Sequence, residues 1–140
     1  MKKLRIALGS NDDKNIILDH MGESRSFLIY DIFEDGRVEF IEKRENLSGE
    51  STKHGDENKL QKAMGIFEDS DVVMARRLSP NYIKMRDKTE FQPVLTEIDS
   101  IEGSMAEIGT SFEEIYDLVE RRRRGERMKT IPKIGEKPKA

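Results

Sequence analysis

The 140-residue chain contains no cysteine and no tryptophan. Without cysteine there is no disulfide framework, no thiolate zinc site, no thiolate-held iron–sulfur cluster and no cysteine nucleophile. With three tyrosines and no tryptophan, the chain lacks an aromatic platform on which bases could stack. Nucleic acid is therefore not an expected partner. No apolar run approaches the roughly 20 residues that cross a bilayer. Met1-Lys2-Lys3-Leu4 leads into no long apolar segment of the kind a secretion signal needs. A cytoplasmic protein with no membrane contact is expected. There is no Gly-x-x-x-x-Gly-Lys loop, no serine elbow and no His-Glu-x-x-His helix. The sequence makes no positive case for an enzyme.

What is there is charge. Asp, Glu, Lys and Arg make up 38% of the chain, with a net charge of -3. Residues 121–140 hold nine Lys or Arg against Glu126 and Glu136, a balance of +7. Residues 1–120, with 16 basic and 26 acidic side chains, carry -10. Such a composition alone would suit a disordered chain, but the apolar residues recur with regular periods. The length suits one domain with a core that needs no staples.

Arg5 to Leu8 reads as a first strand, ending at Gly9. Phe27 to Phe33 and Val38 to Arg44 flank Glu34-Asp35-Gly36-Arg37, and the Asp-Gly pair supplies the positive φ of a tight hairpin. Glu45 to Asp56 is polar and reads as a loop. Leu60, Ala63, Met64 and Phe67 then mark one buried helix face. Ser70 to Ala75 is a short buried strand, because its apolar residues run without alternation. Ser79-Pro80 opens a helix to about Asp87 or Lys88. Gln92 to Thr96 is a final short strand, where Pro93 favours an edge or strand-start position. Glu97 to Gly109 stays open between a loop and an added turn of helix. Thr110 or Ser111 caps the last helix, with Glu113 or Glu114 closing a capping box.

The order is β-β-β-α-β-α-β-α, an α/β domain with a five-stranded mixed sheet and three main helices. Right-handed crossovers bring the loops after Leu8, Ala75 and Thr96 to one edge. The domain is expected to span residues 1–125, and residues 126–140 to form a flexible basic tail. Tyr30, Phe33, Phe40, Phe67 and Phe112 sit at core spacings and are assigned to packing.

The ordered set of these features resembles the dinitrogenase iron–molybdenum cofactor biosynthesis family. The matching elements are the strand Arg5 to Leu8 and the loop His20-Met21-Gly22, with Ser24, Ser26 and Phe27 behind it. The hairpin at Gly36, His54-Gly55, the helix through Leu60, Asp71-Val72-Val73-Met74 and Ser111-Phe112-Glu113-Glu114 continue the match, which spans about residues 3–120. The resemblance implies a ribonuclease-H-like fold. It also implies binding of iron–sulfur or iron–molybdenum cofactor precursors and their transfer between cofactor-assembly proteins. Two departures stand out. Relatives usually have His-Phe-Gly where this chain has His20-Met21-Gly22. They tend to carry a glycine-rich turn where it has Arg76-Arg77-Leu78-Ser79-Pro80.

His20 is the first candidate for contact with a metal or cluster, because neutral imidazole is a good transition-metal ligand. Gly22 would let backbone approach a bulky cargo, and Met21 is a soft neighbour. His54 is the second imidazole. Two imidazoles make a weak site, and Asp12, Asp19, Glu23 and Asp56 are the carboxylates near them in sequence. Arg76 and Arg77 follow a buried strand at the ligand edge, where paired guanidiniums could hold an anion. Ser79-Pro80-Asn81 would add helix-start amides. A two-metal nuclease of that fold needs a carboxylate on its first strand, and Arg5-Ile6-Ala7-Leu8 has none. Arg121 to Arg124 suits the negative end of a helix and pairing with the acidic body.

The function expected from these residues and the resemblance is that of a non-catalytic carrier for a cofactor precursor. The alternative is a protein-interaction or regulatory module of the same fold with no metal cargo.

Overall fold

Strand β1 (Lys3–Ser10) is the axis of the molecule, because its alternate side chains enter two separate cores. The structure is a computed structural model that describes residues 1–47, 57–126 and 128–135, with backbone alone for residues 57–61. The remaining strands are β2 (Ser26–Phe33), β3 (Val38–Glu45), β4 (Val72–Ala75), β5 (Gln92–Thr96) and β6 (Lys133–Ile134). The helices are α1 (Glu57–Ile66), α2 (Pro80–Lys88), α3 (Ile101–Thr110) and α4 (Phe112–Arg123). The sheet order is β3-β2-β1-β4-β5-β6. β2 is antiparallel to both neighbours, and every other pairing is parallel.

Leu4, Ile6 and Leu8 of β1 join Leu28, Ile32, Val72, Met74 and Val94 beneath α3 and α4. Ala7 joins Phe27, Ile29, Val73 and Ala75 on the opposite face, with Ala63 of α1 and Tyr82 and Met85 of α2. Each face of a mostly parallel sheet must be covered, and two helices on each side achieve it. The hairpin forms as the Asp-Gly pair requires, with Gly36 at φ +90° and its N–H donating to the Phe33 carbonyl at 2.9 Å.

Among the described residues the sheet has six strands where the pattern suggested five. The sixth comes from the segment read as a tail: Leu95 and Glu97 donate to the carbonyls of Pro132 and Ile134 at 2.9 and 3.1 Å. Ile134 is buried in the α3–α4 core. A two-residue strand carries no readable periodicity, which is why the pattern missed it. β5 is therefore not an edge. Gln92 donates toward β4 and Leu95 toward β6, so by alternation the nitrogen of Pro93 faces the β6 side before β6 begins. The missing donor costs no ladder bond there.

Three further differences have local causes. The open stretch before Gly109 is the helix α3, capped by Ser100, whose Oγ accepts from the Gly103 N–H at 3.1 Å. α3 meets α4 directly at Ser111, which holds the N-cap position without a side-chain cap bond. Phe40 is 56% exposed. It packs edge-on against Tyr30 at 5.3 Å, but β3 is the sheet edge, and a register shift opposite Ile29 and Tyr30 interrupts its alternation.

Candidate functional site

Parallel strands deliver their carboxyl ends to one edge, and ligands of open α/β sheets bind where neighbouring strands send the chain in opposite directions. Here that place lies between β1, which leads to β2 on one side, and β4, which leads to β5 on the other. A cleft of about 250 Å³ opens there. One wall is residues 18–23 of the β1–β2 connection, and the other is Ala75 and residues 77–82, from β4 into α2.

The β1–β2 connection is built in two parts. The first is self-contained. Ser10 Oγ donates to the Asn15 carbonyl at 2.6 Å, and the Asp12 carboxylate accepts from the Lys14 and Asn15 N–H groups at 3.0 and 2.8 Å. Bonds from the Asn15 side chain and these amides hold the Asp12 carboxyl well below the ordinary carboxylate range. Asp12 is thus engaged within its own loop. The same loop is joined to the start of α3, because Ile16 donates to the Asp99 carbonyl and Ile101 to the Lys14 carbonyl, each at 2.9 Å. The expected gathering of the loops after β1, β4 and β5 at one edge is therefore present.

The second part is a single 3-10 turn, Met21–Glu23, with His20 at its N-cap. The His20 carbonyl accepts from the Glu23 N–H at 3.0 Å, and His20 itself is exposed. Met21 is 5% exposed and packs with Ala7, Phe27 and Phe67, so it anchors the turn to the core. Gly22 is buried beside it.

On the opposite wall, Ser79 Oγ accepts from the Tyr82 N–H at 3.3 Å, and Pro80 sits in the first turn of α2. The Tyr82 hydroxyl donates to the Val73 carbonyl beneath the sheet. Burial pushes the Tyr82 phenol well above its ordinary range. This anchor fixes the start of α2, and with it Arg77 and Leu78, against the cleft.

Of the residues singled out from sequence, His20, Met21, Gly22 and Arg77 line this cleft together, with Asp19 and Glu23. Arg76 does not join them. Its guanidinium pairs with Asp99 at 2.8 Å and donates to the Thr96 and Glu97 carbonyls. Successive residues leaving a strand point to opposite sides, so only one of the pair can face the cleft. His54 and Asp56 lie outside the described residues. Leu18 and Leu78, 50% and 54% exposed, also line the cleft, although neither was assigned a site role from sequence. Among the described residues no group of three His, Asp or Glu is placed to hold a metal ion. Imidazole on one wall and guanidinium plus helix start on the other can contact an anionic body too large for a chelating site.

The family profile described as dinitrogenase iron-molybdenum cofactor matches residues 2–111. The chain belongs to the dinitrogenase iron-molybdenum cofactor family. Membership ties it to the biosynthesis of that cofactor. The family match includes β1 to β5 and α1 to α3 and therefore both walls of the cleft. α4 and β6 lie beyond it. No curated protein matches the chain.

Arg121 to Arg124 are engaged inside the molecule. Arg121 pairs with Asp117, Arg123 with Glu120 and Asp71, and Arg124 with Glu126. Arg122 is buried entirely and takes no part in the cleft. Among the described residues no helix is long and apolar enough to cross a membrane.

Proposed function

We propose that this protein is a non-catalytic cytoplasmic carrier that holds an iron–sulfur or iron–molybdenum cofactor precursor at the His20 cleft and hands it to cofactor-assembly proteins. The observation that carries the reading is the convergence of His20 and Arg77 on one cleft at the carboxyl ends of β1 and β4. Family membership supplies the class of cargo. The five-strand order β3-β2-β1-β4-β5 with β2 alone reversed supports a ribonuclease-H-like arrangement beneath it.

The chemistry suits transient holding. A chain without cysteine offers the cluster imidazole, carboxylate and backbone groups in place of thiolates, and these release a soft metal cluster more readily. The Arg77 guanidinium and the first turn of α2 favour an anionic body, while Leu18 and Leu78 border it with apolar surface. Met21 and Gly22 belong to the His20 wall, and the absence of a side chain at Gly22 permits close approach.

The test is anaerobic titration of the full chain with isolated iron–molybdenum cofactor, followed by absorbance and metal analysis. Wild type should take up cofactor, His20→Ala should lose most of the binding, and Arg77→Ala should lose part. Equal binding by wild type and His20→Ala removes that residue from the site. Wild type that takes up nothing favours the second reading, a protein-interaction module. The observation on its side is that no group of three metal-binding side chains converges among the described residues.

A further inference from the structure

The His20 turn is too short to hold itself. A single 3-10 turn has poor hydrogen-bond geometry and frays when nothing supports it. Its residues Met21 and Gly22 are buried, as is Ser24 after it, so their carbonyl groups need partners inside the protein. The Met21 carbonyl accepts from the Ser24 N–H at 3.1 Å, and the remaining partners come from two side chains. Ser24 Oγ donates to the Met21 carbonyl at 2.8 Å. Asn46 lies just past the end of β3, and its side-chain amide donates to the carbonyls of both Gly22 and Ser24 at 2.8 Å. Its own N–H donates to the Arg25 carbonyl at 3.1 Å. The carboxamide is the right group for this task, because one NH₂ supplies two hydrogens to two carbonyls.

We propose that Asn46 and Ser24 are positioning residues for the cargo site: they hold the His20 turn in its binding geometry before cargo arrives. The inference rests on the carrier reading and adds the residues that preorganise it. Neither residue lines the cleft. Their effect on affinity comes through the turn, because an imidazole on an already ordered segment pays no ordering cost on binding.

The experiment compares wild type, Asn46→Ala, Asn46→Asp and Ser24→Ala as full chains. Amide hydrogen exchange is read at Glu23 and Ser24, which report the turn, and at Leu8, Met74 and Val94, which report the sheet. Affinity for isolated iron–molybdenum cofactor is measured in parallel. Losing bonds of this kind should speed exchange at the turn by about tenfold and weaken cofactor binding by about tenfold, with the sheet amides unchanged. Asn46→Asp, which sets a carboxylate against two carbonyls, should be at least as impaired as Asn46→Ala. Unchanged exchange at the turn overturns the proposal, and so does faster exchange with unchanged affinity. Faster exchange throughout the sheet makes these residues general fold elements and also overturns it. Wild type that binds no cofactor overturns the carrier reading and the purpose given to the clamp. The exchange arm would still report whether Asn46 holds the turn.

Discussion

Arg122 donates from Nε to the Gln92 Oε1 at 2.7 Å, with both side chains fully buried. The same guanidinium donates to the carbonyls of Arg86 at 2.8 Å, Thr89 at 3.3 Å and Met128 at 3.1 Å. One side chain of α4 thus ties the end of α2, the start of β5 and the segment that leads into β6. Arg122→Ala would remove this donor from the buried Gln92 Oε1 and from three part-buried carbonyls. It should cost about 3 kcal/mol and lower Tm by roughly 10 °C. Thermal unfolding followed by circular dichroism checks this. Arg121→Ala, whose partner is a surface Asp117, should change Tm by no more than about 2 °C.

That bond depends on more than local sequence. Arg121 to Arg124 look alike in one dimension, and the expectation of pairing with the acidic body holds for Arg121 and Arg123, while Arg124 pairs with Glu126 of its own segment. Which one turns inward depends on the angle at which α4 crosses β5, and a local pattern does not contain that angle. The hairpin at Gly36, the buried strand at Val72 and the helix opened by Ser79-Pro80 were legible because each has a local cause. β6 was not, because it exists only through its pairing with β5. In the site, the loop bearing His20 was visible from its position between two strands. The separation of Arg77 from Arg76 needed the direction in which each side chain leaves β4.

Acid stability should depend on a charged network at the opposite end of the sheet. Arg5 pairs with Asp31 and Asp69, and Arg44 pairs with Asp69. Hydrogen bonds from Arg44 and Arg5 hold Asp69 well below the ordinary carboxylate range, against the upward push of burial. Burial pushes Asp31 up, but bonds from Arg5 and Lys3 offset it and leave the group lowered. Groups whose folded pKa is depressed stabilise the fold above the unfolded value and lose that contribution as they protonate. Stability should therefore fall progressively below about pH 4. Urea unfolding between pH 2 and 7 checks this, and Asp69→Asn should flatten the acid limb.

Gly9 is required by close approach. A Cβ there would stand 2.6 Å from Ser24 Oγ and 2.9 Å from Ser24 Cβ. Gly9→Ala must push Ser24 off the Met21 carbonyl, at a cost of about 2 kcal/mol. Because Ser24 supports the His20 turn, the same substitution should weaken cofactor uptake while the sheet stays folded. Denaturant unfolding and the anaerobic titration, run on one preparation, separate the two effects.

The carrier reading requires that the His20 imidazole touch the cargo. The most direct measurement is iron K-edge X-ray absorption on the full chain loaded anaerobically with isolated iron–molybdenum cofactor, for wild type and His20→Ala. The expected result is a nitrogen scatterer bonded to iron in wild type that is absent from whatever cofactor His20→Ala retains. Identical spectra at equal loading, with the nitrogen contribution present in both or in neither, would contradict the claim.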